Sequence, residues 1–333
     1  MKKNRKIFII AGILVVIAIL LYIFLWMLTT KQPLKLNDPV RNAILQKNIT
    51  RILVRNSTQV LAMVVSAVLI ATTSLVFQTL TNNRILTPSL IGFDAIFVTI
   101  QTFIIFIFSS TSILFYNPYV NFITATLLMI IITLFMYRLI LRKNRNNIIF
   151  LLLVGMVLST LARSSANFLQ TIMDPAEFDS LIIRTQVSIT QMNLNVIWIA
   201  TPLMIFIIFA LFREIKNYDV MALGESQAVG LGVNYNQKMN LSLIYIAIAM
   251  SISTALIGPI SFLGLIAVNA ARELLKTYKH LPLFILSSMI AVIFLVIGQV
   301  IVAETGYLTS VTVLISLIGG AYMIYLVLKE NKI

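Results

Sequence analysis

The chain contains no cysteine and a single histidine, His280. No disulfide, thiolate metal site or cysteine nucleophile can be built from it, and a metal cage made only of imidazoles is excluded. Charge is also scarce, with 11 acidic and 25 basic side chains among 333 residues. It has no Gly-rich phosphate loop, and no cluster of His, Cys or carboxylates that could hold a metal or share a proton. The usual routes to bond chemistry are therefore missing, and no residue is a candidate for catalysis. What the chain has in abundance is apolar surface: 59% of its side chains are hydrophobic and its mean hydropathy is +0.99. Too little polar surface remains to cover a soluble globule, so the chain reads as a polytopic, all-α membrane protein.

Ten apolar runs reach or approach the roughly 20 residues that a helix needs to cross hydrocarbon. They lie near 7–28, 60–80, 90–109, 119–141, 148–170, 194–212, 240–257, 259–275, 281–302 and 309–328, within one domain spanning 1–333. The eighth is the weakest, being short, preceded by Gly258-Pro259 and ending in charge. The first follows MKKNRK like a signal peptide. It is long, however, and lacks a small-residue cleavage site before Lys31, so it reads as a retained span.

Lys and Arg collect at the cytoplasmic ends of spans. With both termini in the cytoplasm, Lys2, Lys3, Arg5, Lys6, Arg138, Arg142, Lys143, Arg145, Arg213, Lys216, Lys238, Arg272, Lys276, Lys279, Lys329 and Lys332 all fall inside. The outer loop after span five is acidic, with Asp174, Glu177 and Asp179 against Arg184. One loop breaks the rule: Lys31, Lys35, Arg41, Lys47, Arg51 and Arg55 fall outside against only Asp38. Either the N-terminal cluster dominates and these charges are merely solvated, or they form a basic outer rim that receives an acidic partner.

Several stretches depart from plain hydrophobicity. Span two carries Ser66, Thr72, Thr73, Ser74 and Gln78, which suit close helix packing or a wet pathway. It is followed by TNNRILTPSLIGFD, where Asn82, Asn83, Pro88 and Gly92 predict a sharp turn. In span five, Arg163 either snorkels to the outer headgroups or lines a cavity open to the outside, because a charge within a span must find protein or water. Between spans six and seven, in a loop at about 213–239, the segment LGESQAVGLG at 223–232 is a small polar island. Its surroundings predict one short helix within 219–232 on Ala222, Leu223, Gln227 and Ala228, broken at Gly230 and Gly232. Gly224 lets another backbone approach closely, and the island suits a groove on a soluble protein. Then comes GPISFLGLIAVNAARE, where Gly258-Pro259 marks a kink or a broken helix, and Asn269, Arg272 and Glu273 close the run beside the island.

Taken together and in this order, these segments resemble the FecCD/BtuC-type permease subunits of ATP-binding cassette importers for iron-siderophores, haem and cobalamin, over nearly the whole chain. The family pattern of Leu-Gly, four residues, then Ala or nearby and Leu-Gly is matched, with three residues before the Ala, by Leu223, Gly224, Ala228, Leu231 and Gly232, which the resemblance makes the element that docks on the ATPase. Gln78, Asn83 and Pro88 match the glutamine, asparagine and second proline around the family's NPLAxP turn, and with Arg163 they are the candidate pathway residues. Arg51 and Arg55 stand near the family's docking arginines for the binding protein, at a spacing of four instead of three and without the intervening proline. Arg84 replaces the turn's first proline, and Val268-Asn269 replaces the Pro-His that usually precedes the motif arginine, here Arg272.

The segments TNNRILTPS, DPAEF and VNAARE look closest to the petrobactin and catecholate-siderophore branch. The resemblance implies a type II importer fold of ten helices in the bacterial cell membrane, paired with a second, different permease. It further implies two ATPase copies and an extracytoplasmic siderophore-binding lipoprotein, with no cofactor, metal or nucleic acid held by this chain. A haem or cobalamin permease is the alternative within the family. An ion-driven carrier is the alternative outside it, with Asp94 as its only acidic candidate at a span mouth.

Overall fold

The computed structural model describes residues 2–29, 39–143, 148–185, 194–306 and 309–330. Lys31 and Lys35 of the basic loop lie outside these residues. Every regular element among the described residues is helical, as hydrocarbon demands of a chain that must satisfy its own backbone amides. In order they are α1 (Lys2–Thr29), α2 (Pro39–Leu80), a 3-10 turn (Pro88–Ile91), α3 (Phe93–Phe108), α4 (Ile113–Tyr116), α5 (Pro118–Lys143) and α6 (Ile148–Thr171). Then follow α7 (Pro175–Thr185), α8 (Leu194–Arg213), α9 (Ile215–Met221), α10 (Glu225–Gly230), α11 (Tyr235–Ile257), α12 (Leu263–Leu275), α13 (His280–Glu304) and α14 (Val311–Glu330).

Each of the ten apolar runs is a helix, and eight of these helices are long and apolar enough to cross a membrane. The two that fall short are α3, with 16 residues, and α12, with 13. At 1.5 Å per residue they rise about 24 and 20 Å, less than the roughly 30 Å of a hydrocarbon core.

The core is organised around α2, which packs against α1, α8, α11, α12 and α13. All residues from Ala71 to Leu80 are buried. Of the two roles open to the polar residues of span two, close packing fits Thr72 and Thr73. Thr72 and Thr73 donate to carbonyls one turn back, at 2.8 Å to Val68 and 2.6 Å to Leu69, so they need no water. Tyr22 of α1 donates to Gln59 of α2 at 2.8 Å.

α12 crosses α2 at close range. A Cβ at Gly264 would stand 1.9 Å from Ser74 Oγ and 2.6 Å from Ser74 Cβ, so the two backbones meet where only glycine fits. Gly258-Pro259 breaks the chain outright rather than kinking it: α11 stops at Ile257 and α12 starts at Leu263. The five intervening residues are tied down by Ser261, which donates to Asp94 Oδ2 at 2.5 Å, and by Thr312 of α14, which donates to the Pro259 carbonyl at 3.3 Å.

Candidate functional site

The polar island folds as two short helices, α9 and α10, instead of the single helix predicted over 219–232. The break falls earlier than expected, at residues 222–224, while Gly230 remains the last residue of α10. Gly224 causes it. Its φ of +96° and ψ of 162° lie in a region open only to glycine, which turns the chain between the helices. The turn satisfies itself: Gly224 N–H donates to the Met221 carbonyl at 3.0 Å, and Ala228 N–H to the Gly224 carbonyl at 3.0 Å.

The result is an exposed knob that carries apolar Leu223, Val229 and Leu231 beside polar Glu225, Ser226 and Gln227. Leu223, Val229 and Leu231 are 51%, 56% and 65% exposed, whereas Ala228 is fully buried and anchors α10. No atom lies within 4 Å of where a Cβ would stand at Gly224, Gly230 or Gly232. Four of the five predicted coupling residues, Leu223, Gly224, Leu231 and Gly232, therefore border open space around Ala228.

Beneath the knob, α9 is fastened to three long helices. Lys238 of α11 pairs with Glu214, at the start of α9, at 2.8 Å, and Asn217 also donates to that carboxylate at 2.5 Å. Partial burial works to raise the Glu214 carboxyl, but these hydrogen bonds and the charges of Lys238 and Arg213 outweigh it and hold Glu214 below the usual carboxylate range. Tyr218 is fully buried and its hydroxyl hydrogen-bonds Ser242 of α11 at 3.1 Å; desolvation pushes the phenol upward. Asp219 Oδ1 accepts the backbone N–H of His280 and lies 2.7 Å from its ring Nδ1. The other ring nitrogen lies 2.7 Å from Thr79 Oγ1, near the end of α2.

Arg51 and Arg55 are exposed at the far end of the same helix. The 24 residues from Arg55 to Thr79 rise about 36 Å, more than a hydrocarbon core is thick. The knob and the arginine pair therefore occupy opposite ends of the molecule.

The candidate pathway residues do not converge. Gln78 is 2% exposed inside the α2 core, with neither amide atom hydrogen-bonded among the described residues. Asn83 is exposed and accepts the Ile85 N–H at 2.8 Å, closing the turn, while Pro88 is buried at the start of the 3-10 turn. Asn269 braces that turn by donating to the Arg84 carbonyl at 2.9 Å. Arg163 is exposed on α6, and Thr160, Ser164, Asn167 and Thr171, all exposed, share its face at helical spacing. A polar stripe open on an apolar helix needs protein or water against it rather than lipid.

The pattern of the FecCD transport family matches residues 12–329. The chain belongs to that family. The petrobactin import system permease protein YclO of Bacillus subtilis is 43% identical over 284 residues, covering 84% of this chain and 89% of the relative. The petrobactin import system permease protein FatC of Bacillus anthracis is 29% identical over 318 residues, covering 95% of this chain and 89% of the relative. A solved structure described as an inward-facing metal-chelate type ABC transporter shares the fold. It is 19% identical with a TM-score of 0.79, and the match covers 98% of this chain and 99% of that one.

This FecCD-family chain is thus a multi-pass membrane protein of the permease kind. Sequence reading missed the contacts beneath the knob. Thr79 and His280 are 201 residues apart and Asp219 and His280 are 61 apart, so no local spacing announces them.

Proposed function

We propose that this chain is the permease subunit of an ATP-binding cassette importer that carries a ferric siderophore, of the petrobactin or catecholate type, into the cytoplasm. One observation carries the reading: an exposed knob at residues 223–232, with Leu223, Val229 and Leu231 uncovered, is fastened to the end of α2 opposite the exposed pair Arg51 and Arg55. Such a knob suits a groove on a soluble engine, and a basic rim suits an acidic deliverer, each from its own side of the membrane. The 43% identity to a petrobactin permease supports the substrate class.

In this reading the whole of 1–333 is one permease domain of ten helices, with α3 and α12 as short spans held within protein. The segment at about 213–239 faces the cytoplasm together with both termini. The assembly is completed by a second and different permease chain, two copies of a separate ATPase and an extracytoplasmic siderophore-binding lipoprotein. The polar stripe of α6 around Arg163 then faces the second permease across the pathway, where water replaces lipid. Nucleotide hydrolysis happens elsewhere, and this chain moves as a wall.

Reconstitution of the complete complex in liposomes tests the proposal. Uptake of radio-iron-loaded petrobactin is expected only with ATP, the ATPase subunit and the binding protein all present. Uptake that persists without the ATPase would assign the chain to ion-driven carriers instead. Reversing Arg51 and Arg55 to Glu should weaken capture of the loaded binding protein about tenfold at low ionic strength, as two rim charges of modest individual strength allow. That difference should shrink at high salt, because exposed charges are screened.

A further inference from the structure

We propose that Asp219, His280 and Thr79 form the linkage through which movement of the knob reaches α2 and α13, a positioning role that rests on the permease reading above. His280 is the first residue of α13 and is buried to 1% exposure. The residue before it, Lys279, gives α13 no side-chain cap. Asp219 supplies the cap from another helix, accepting the His280 backbone N–H at 2.7 Å and placing a carboxylate at the positive end of α13.

The same oxygen lies 2.7 Å from the ring Nδ1, and the ring's far side lies 2.7 Å from Thr79 Oγ1. Because the Asp219 carboxylate can only accept, the ring proton sits on Nδ1 and is donated there, and Nε2 of the neutral ring accepts from the Thr79 hydroxyl, which also stands 3.0 Å from the Leu75 carbonyl. The imidazole therefore bridges α9 to α2 as a planar strut without the rotatable slack of a Lys or Arg. Tyr218 and Phe284, with ring centroids 5.9 and 6.5 Å away, wall it in.

A buried polar strut adds less stability than apolar packing of equal volume, so its use here points to control of geometry. It fixes the position of α9, which carries the knob, against the central helix α2 and the start of α13. A displacement of α9 must then move α2 and α13 or break the bridge.

The readout is iron delivered per ATP hydrolysed by the reconstituted complex, with radio-iron-loaded petrobactin as the probe. This ratio does not depend on how much complex assembles. Thr79→Val keeps the shape of the side chain and removes the hydroxyl. It is expected to retain ATPase co-purification and hydrolysis while the ratio falls about tenfold, within the range of typical coupling between sites. Thr79→Ser, which restores the hydroxyl, is expected to return the ratio to that of the unaltered protein. His280→Phe, which fills the aromatic slot without the strut and leaves the Asp219 cap to the backbone in place, should match Thr79→Val.

An unchanged ratio in both Thr79→Val and His280→Phe would overturn the linkage. So would a lower yield of complex with the ratio intact, since that is the mark of a purely structural bond. An unaltered chain that neither binds an ATPase nor imports iron-loaded petrobactin would instead overturn the permease reading itself.

Discussion

Gly224→Trp is expected to reach the membrane at the level of the unaltered protein and to lose nucleotide-driven uptake. No atom beyond the flanking residues lies within 4 Å of the position a Cβ would take, so the new side chain starts out in open space. Its local cost is the strain of a non-glycine residue at φ +96°, about 1–3 kcal/mol, confined to an exposed turn between two short helices. The damage falls on whatever must cover Leu223, Val229 and Leu231. A bulky side chain at the centre of such a surface should weaken ATPase binding about thirtyfold or more, the scale of an interface hot spot.

Gly224→Ala carries similar strain with little bulk and separates the two causes. If Ala leaves uptake nearly intact while Trp abolishes it, the surface is a docking face. Membrane abundance, co-purification with the ATPase and uptake are the three measurements, and normal uptake by Gly224→Trp would remove the coupling role of the knob.

The second large effect concerns folding. Gly264→Val should lose most of the folded protein, because its Cβ alone would stand 2.6 Å from Ser74 Cβ and 3.1 Å from the Ile70 carbonyl. Both belong to the buried centre of α2, which has no room to retreat, since five other helices pack around it. α12 would have to lift away, uncovering Leu263, Ile266 and Ala267, all of them buried. Overpacking of this kind costs about 3 kcal/mol or more where the backbone cannot yield. The melting temperature in detergent and the yield of folded protein report it.

A paired test fixes the cause. Gly264→Ala should be destabilised, and adding Ser74→Gly should recover part of the loss by removing the atoms in conflict. If the double variant is less stable than Gly264→Ala alone, the α12–α2 crossing is not the reason.

Much of the architecture was legible because hydropathy and chain breaks are local signals. All ten apolar runs became helices, and Gly258-Pro259 did end one. The island was located correctly but its shape was not. Composition suggested one helix over 219–232, whereas the left-handed backbone at Gly224 divides it into α9 and α10. Among the candidate pathway residues, type and spacing gave no sense of direction. Gln78 points into the core and Arg163 away from it, although both looked equally polar within apolar spans.

The sequence by itself determined that this is a helical membrane protein, where its ten apolar helices lie, that one of them ends at Gly258-Pro259 and which short loop stands apart. It could do so because hydrocarbon imposes a length, a composition and backbone satisfaction on each segment separately. Only the tertiary structure decided that His280 joins Asp219 to Thr79, that Gly264 lets α12 close on α2 and that α2 is the common neighbour. Those contacts join residues up to 201 positions apart, and they depend on which small side chains let helices approach, a property of paired surfaces that no single stretch of chain encodes.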